Sequence, residues 1–365
     1  MYHAAIEILK KINDNGYQAY VVGGFVRDFY LNKHSMDVDI CTEATPKELK
    51  DIFGDIMLPN IQYGSITIIY KKIRFEITTF RKDIKYENNR IPVKIKYIHS
   101  LKEDLLRRDF TMNTLCLNKD GEILDFLGAK EDLDNKIIKM VGNPKKKLKE
   151  DSLRILRAIR FATILNFELD DELKKYIKKY SYLLKKLSYY RKKEELEKIF
   201  TSSNISYGIK LLKEMNLVES LELKNIDNLI YPSSLITIWA QLEVSDIYSF
   251  SNHEKETISK IKELMDKDIL DNKNLYRYGL YISSLVGEIK GIPKKIITKK
   301  YNDLPIQSKK DIANTGKEIS QILDCKPGFY IKIILEKLED EILLGNLQND
   351  YDMLKKYILV EGKSL

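Results

Sequence analysis

Gly23-Gly24-Phe25-Val26-Arg27-Asp28, with Asp37-Val38-Asp39 a few residues on, is the stretch from which the fold of this chain is read. The apolar run Tyr20-Val21-Val22 ahead of it reads as a short buried strand. Gly23 and Gly24 then let the backbone approach something bulky and anionic. Phe25 to Tyr30 reads as the first turns of a helix, whose unpaired N–H groups attract phosphate. Arg27 adds a charged fork matched to phosphate oxygens. Asp37 and Asp39 alternate within Met36-Asp37-Val38-Asp39-Ile40, so a strand there places both carboxylates on one face. Like charges so placed repel unless a cation lies between them, and a pair of Mg²⁺ ions beside a triphosphate is the natural occupant. Alone, a Gly-Gly pair is ordinary turn chemistry and an Asp-x-Asp pair an ordinary strand edge. In this order and at this spacing they point to nucleotidyl transfer.

With 365 residues, the chain has room for two or three domains, and 44% hydrophobic content makes it globular. A net charge of +8 permits a polyanionic partner without requiring one. Cys41, Cys116 and Cys325 are too widely spaced for a zinc site or a disulfide framework and fit a reducing cytoplasm. The N-terminal residues read as an amphipathic helix rather than a signal peptide, and no apolar run approaches the roughly 20 residues of a membrane span. Four histidines with no His-Asp dipeptide argue against an appended metal phosphohydrolase.

Residues 1 to about 140 mix strand-like runs at 18–22, 36–41, 65–70, 73–80, 94–98, 112–117 and 122–126 with helical stretches at 2–13, 25–31, 46–53 and 101–106. This predicts an α+β head built on one mixed sheet. From about 148 onward Lys/Glu/Leu/Ile segments with helical periodicity take over, broken near 202–205, 231–234, 291–293 and 326–328. The second half is expected to be all helix. The Lys-rich stretch from Lys174 to Lys198 reads as a solvated helical face or an RNA contact.

Three further clusters carry chemistry. Glu76, in the alternating run Phe75 to Arg81, is a candidate third carboxylate beside the metals or a solvent-facing strand residue. Arg107-Arg108-Asp109-Phe110-Thr111-Met112-Asn113 crowds charge and an amide at the start of an expected strand; it is either a surface ion-pair cluster or a site for ribose and triphosphate. In Glu150 to Phe161, Leu153, Leu156, Ile159 and Phe161 form an apolar stripe, while Asp151, Arg154, Arg157 and Arg160 recur every three residues. An Asp acceptor beside an Arg donor matches the edge shared by cytosine and adenine, and the opposite order at uracil and guanine mismatches it. Arg157 and Arg160 are then spare for phosphates.

These segments together resemble the bacterial class II CCA-adding enzymes, of the tRNA nucleotidyltransferase and poly(A) polymerase family. The first block also resembles the wider superfamily of DNA polymerase β. Matching stretches extend through Asp125 to Leu133, Ile138 to Pro144 and Glu150 to Arg154, and thin out beyond the first half. The resemblance implies a polymerase-β-like head at 1–145, then an all-helical neck at 146–205, body at 206–275 and tail at 276–365 that binds tRNA. It implies template-independent addition of CCA to the 3′ end of tRNA from CTP and ATP, with Mg²⁺ held by Asp37 and Asp39. It also implies triphosphate contacts from Gly24 and Arg27 within the Gly23 turn, with Arg108 and Asp109 serving sugar and phosphates. Asn113 joins that nucleotide set. Base reading falls to Asp151 and Arg154, and nucleotide binding is shared by Arg157 and Arg160.

Two departures stand out. Asp125-Phe126-Leu127-Gly128-Ala129 lacks a glycine and a proline of the family's run, and Tyr190-Arg191 replaces its Glu-Arg. The polar segment Lys82 to Ile98 reads as a mobile loop, which in this family acts as a lever for the switch from CTP to ATP. Its full length disfavours CC-only addition and leaves A-only addition open, beside poly(A) synthesis. From other classes, an inert RNA-binding protein is opposed by the intact Asp37 and Asp39. A nucleotidyltransferase acting on small molecules is opposed by the long basic helical half.

Overall fold

The computed structural model describes every residue except 36, 57–63, 88–90, 245 and 362–365. The chain divides into two compact units, Met1–Glu222 and Leu223–Leu365.

Unit 1 opens with α1 (Tyr2–Asp14), which buries Ala4, Ala5, Ile8, Leu9 and Ile12 along one face, as its helical spacing requires. Then come β1 (Ala19–Val22), α2 (Gly24–Tyr30), β2 (Val38–Thr42) and α3 (Pro46–Phe53). A reciprocal Thr45–Glu48 capping box and a first-turn proline fix the start of α3. The strands β3 (Ser65–Tyr70), β4 (Ile73–Thr79), β5 (Arg81–Glu87) and β6 (Ile91–Tyr97) follow. Next are α4 (Leu101–Leu106), β7 (Cys116–Leu117), β8 (Ile123–Leu124), α5 (Ala129–Asp134), β9 (Ile137–Ile138), α6 (Pro144–Glu150) and α7 (Leu153–Leu165). The unit closes with β10 (Glu168–Leu169), α8 (Asp171–Tyr180), α9 (Tyr189–Phe200), α10 (Ile205–Glu214) and α11 (Val218–Leu221).

Six strands form one sheet in the order β3-β4-β2-β1-β7-β8. Only β2 and β4 run parallel, so the sheet is mixed. Val38, Ile40, Phe75 and Ile77 point into the core, while Asp39 and Glu76 alternate with them on the exposed face. The helices α7, α9 and α10 cross closely. A methyl group on Gly208 would meet Ile199 Cγ2 at 2.6 Å and Thr163 Oγ1 at 2.7 Å.

Four expectations are corrected here. The strand expected at 112–117 is a 3₁₀ turn at Thr111–Asn113 followed by two strand residues. Lys82 to Ile98, read as a loop, is the hairpin β5–β6, with register shifts between Asp83 and Lys85 and between Lys85 and Tyr86. Among its described residues the helical half contains one strand, β10, paired parallel with β9. The Lys174–Lys198 stretch is not one solvated face. Lys192 is 1% exposed and donates to the Ser220 carbonyl at 3.4 Å, while Lys185 pairs with Glu219 and Lys174 with Asp171.

Unit 2 is helical among its described residues: α12 (Leu235–Gln241), α13 (Asn252–Met265), α14 (Asn272–Ile289), α15 (Lys294–Asn302), α16 (Gly316–Ile322), α17 (Phe329–Leu344) and α18 (Tyr351–Glu361). Trp239 anchors its core against Tyr248 and Phe250 at 5.0 and 5.5 Å between ring centres. Among the described residues, no helix is long and apolar enough to cross a membrane.

Candidate active site

β1 ends at Val22, opposite Asp39 on β2, so the Gly23 turn lies beside that carboxylate. Gly23 adopts φ +82°, and a Cβ there would stand 3.1 Å from Asp39 Oδ2. The position therefore excludes a side chain both by its backbone conformation and by close approach. Gly24 differs: a Cβ would meet Arg27 Nη2 at an ordinary 3.6 Å. Parallel register sets Glu76 next to Asp39, and Asp37 immediately precedes β2. Asp39 is reachable by solvent, yet its carboxyl group is tucked against the Gly23 turn. This shielding, with the Glu76 and Asp37 charges, pushes its pKa up to about 6 against the opposing pull of Arg108.

A cation would relieve that crowding, and hard carboxylate oxygens suit a divalent ion. The donor set of Asp37 and Asp39 therefore fits a metal. Among the described residues, no three acidic, histidine or cysteine side chains gather into a cation cage. Glu76 is a neighbour in register with Asp39.

From α2, Arg27 turns inward. Its Nε donates to Asp28 Oδ1 at 2.8 Å and its Nη1 to Asn113 Oδ1 at 3.0 Å. Asn113 Nδ2 donates in turn to Asp109 Oδ1 at 3.3 Å, which also accepts the Phe110 N–H at 2.8 Å. Asp109 Oδ2 accepts Arg157 Nε at 2.8 Å and Arg157 Nη2. Burial alone would raise the pKa of Asp109. The Arg157 charge and these hydrogen bonds outweigh it and hold the carboxyl well below the usual range. A continuous polar chain, Asp28–Arg27–Asn113–Asp109–Arg157, thus joins α2, the 3₁₀ turn and α7.

Arg108 does not point along this chain. Its Nη2 donates to Asp104 Oδ2 at 3.2 Å, and its Nε is buried with no hydrogen-bond partner. Asp104, fully buried on α4, also accepts Arg107 Nε at 2.8 Å and the Arg81 backbone N–H at 3.1 Å. Burial pushes its pKa up, but Arg107 and Arg108 more than offset that and keep it ionised. Asp104 escaped the sequence reading. Its signal was present: an acid on a helix with arginines at i+3 and i+4.

At the start of α7, Asp151 Oδ1 accepts the Leu153 N–H at 3.1 Å. Arg154 donates to the Lys147 carbonyl at 2.9 Å and the Arg107 carbonyl at 3.5 Å, which pins its guanidinium over the end of α6. Arg157 and Arg160, read as spare, are both engaged. Arg160 Nη1 donates to Glu195 Oε1 on α9 at 3.1 Å, and both side chains are buried. The departure at Asp125–Ala129 is also accommodated: Asp125 accepts N–H groups of Leu127, Ala129 and Lys130 at 2.9–3.1 Å.

Comparison with known proteins fits this geometry. A family model for the poly A polymerase head domain matches residues 19–139. One for tRNA nucleotidyltransferase domain 2 matches 247–358. A CCA-adding enzyme of Ligilactobacillus salivarius is 32% identical over 96% of this chain and 94% of its own length. The chain belongs to the CCA-adding enzyme family. Another member, from Anoxybacillus flavithermus, is 32% identical over 99% of this chain and 98% of its own. The crystal structure of the Bacillus stearothermophilus CCA-adding enzyme with CTP covers 100% of this chain and 98% of its own, at 26% identity and a TM-score of 0.82. That of the Thermotoga maritima CCA-adding enzyme with tRNA shares the fold, covering 98% of this chain and 94% of its own at 20% identity and a TM-score of 0.70. The chain is therefore a nucleotidyltransferase with a polymerase-β-like head, and nucleotidyltransferases of this family use divalent metal ions.

Proposed function

We propose that this protein adds CCA to the 3′ end of tRNA, drawing on CTP and ATP without a nucleic-acid template. The observation that carries the reading is the convergence of the Gly23–Asp39 turn and the Asp28–Arg27–Asn113–Asp109–Arg157 chain in one unit. The relatives solved with CTP and with tRNA support the same substrates.

Asp37 and Asp39 would hold Mg²⁺, which when bound would supply charge neutralisation for the triphosphate and lower the pKa of the attacking 3′-hydroxyl. Gly23 keeps the turn short enough for Gly24 and Arg27 to reach the phosphates. Asn113 and Asp109 orient Arg27 and Arg157 from behind, and Asp109 serves the sugar and phosphates through Arg157. Arg108, braced by Asp104, lends positive charge behind the metal strand. Asp151 and Arg154 read the base edge as acceptor and donor, which admits cytosine and adenine. Residues 1–145 serve as head, 146–205 as neck, 206–275 as body and 276–365 as tail. On α15, the exposed lysines Lys294, Lys295 and Lys299 offer positive charge to an RNA backbone. The enzyme works in the cytoplasm, where Cys41 and Cys116 stay reduced and buried.

The test offers each of the four nucleoside triphosphates to the wild type and to Arg154→Ala with a tRNA lacking its CCA end. The wild type is expected to incorporate CTP and ATP and nearly exclude UTP and GTP, and the variant to lose that choice while retaining some transfer. Efficient UTP use by the wild type overturns the base-reading assignment.

A further inference from the structure

Phe161 lies one turn beyond Arg157 on α7 and next to Arg160, and three guanidinium groups meet over its ring. Arg160 lies 4.2 Å from the ring centre, Arg27 5.4 Å and Arg157 5.5 Å. Phe110, in the segment that carries Asp109, meets the same ring edge-to-face at 5.7 Å. The ring is therefore a hub between α2, the Asp109 segment and α7. Bringing three like charges to one spot is costly. Each has one acidic partner: Asp28 for Arg27, Asp109 for Arg157 and Glu195 for Arg160. Those partners leave a remainder. Arg160 is 7% exposed, and its Nε is buried with no hydrogen-bond partner. Its burial, and the Arg157 and Arg27 charges, depress its pKa against the pull of Glu195. The electron-rich face of an aromatic ring is the group placed to offset that cost, and it does so without taking up donors.

We propose that Phe161 is a positioning residue for nucleotide binding, its ring holding Arg27, Arg157 and Arg160 in one constellation through cation–π contact. The inference rests on the reading of Arg27 and Arg157 as nucleotide ligands. All three guanidinium nitrogens of Arg27 have acceptors on Asp28 or Asn113, and the ring supports its face without drawing on those donors. An aliphatic side chain of similar volume would fill the space and leave the three charges to repel.

The test replaces Phe161 with phenylalanine carrying five ring fluorines, which keeps the shape and reverses the polarity of the ring face. Phe161→Leu and Phe161→Tyr are made alongside. KM for CTP and ATP, kcat, tRNA Kd and Tm are measured for each. The fluorinated ring and Phe161→Leu are expected to raise both nucleotide KM values roughly tenfold, with kcat changed much less and tRNA affinity unchanged, since interactions already made with bound substrate are the ones weakened. Phe161→Tyr is expected to keep wild-type values. A fluorinated enzyme with wild-type nucleotide KM overturns the proposal, even if Phe161→Leu fails to fold. So does a loss confined to Tm. If the wild type itself adds no nucleotide to tRNA, the proposed function fails instead, and the two failures are told apart in the same assay.

Discussion

Gly23 is where the local backbone and the Asp39 carboxylate are most tightly joined. Its positive φ and the 3.1 Å approach of an added Cβ to Asp39 Oδ2 act together. Gly23→Ala is expected to cost about 1–2 kcal/mol of stability. It should lower nucleotide incorporation far more than that cost implies, by on the order of 100-fold, because Asp39, the proposed metal ligand, is displaced. A near-normal rate in the variant would separate the turn from the carboxylate. Asp109 offers a second residue-level test. Its folded pKa is depressed, so its contribution to stability is complete above the unfolded value of about 3.9 and fades as pH falls toward the native value. Urea titrations of the wild type and Asp109→Asn should show a gap on the order of 2 kcal/mol at pH 7. That gap should hold down to about pH 5 and narrow below about pH 4. A gap unchanged down to pH 3 would mean the Asp109–Arg157 pair does not titrate as described. The pairing itself was invisible beforehand. Asp109 and Arg157 are 48 positions apart, and Arg160 and Glu195 are 35 apart, so periodicity along α7 exposed the arginines and hid their partners.

Among the elements, those with a clean period were legible in sequence. The alternation around Asp39 and Glu76 gave β2 and β4 and their exposed carboxylate face, and the register then set the two acids side by side. The turn at Thr111–Asn113 was misread because its polar groups satisfy one another locally. Asp109 takes the Phe110 N–H and Thr114 Oγ1 donates to the Thr111 carbonyl at 2.7 Å, which competes with a sheet ladder. Strand β5 was missed for the opposite reason. Its side chains carry no apolar period, and backbone pairing with β6 makes the strand regardless. A paired hairpin with a register shift is a stiffer device than a loop. Replacing Asp83 to Ile95 by a short Gly/Ser linker is expected to leave CTP addition largely intact and to slow ATP addition to a tRNA ending in CC by at least about tenfold. The two steps are timed on one enzyme preparation, since misfolding would depress both. Equal rates for both steps would make the hairpin a passive connector.

At the scale of the whole molecule, the mixed head and the helical remainder followed from where strand signals stop, near residue 148, and among the described residues only the two-residue β10 crosses that line. What composition could not reveal was how the lysines are spent. A net charge of +8 is unevenly available, because Lys192 is buried and Lys174 and Lys185 are paired. The site is better described as a network than as a list of ligands: one ring, three arginines, one amide and three acids hold each other beside the carboxylate strand. The central claim is that this single site adds two cytidines and then one adenosine to tRNA. The most direct measurement gives the purified protein, with Mg²⁺, CTP and ATP, three tRNAs: one lacking the whole CCA end, one ending in the first C and one ending in CC. The 3′ ends of the products are then sequenced. All three are expected to finish as CCA and to stop there. A protein that extends only the tRNA ending in CC, or that never adds the first C, would contradict the account.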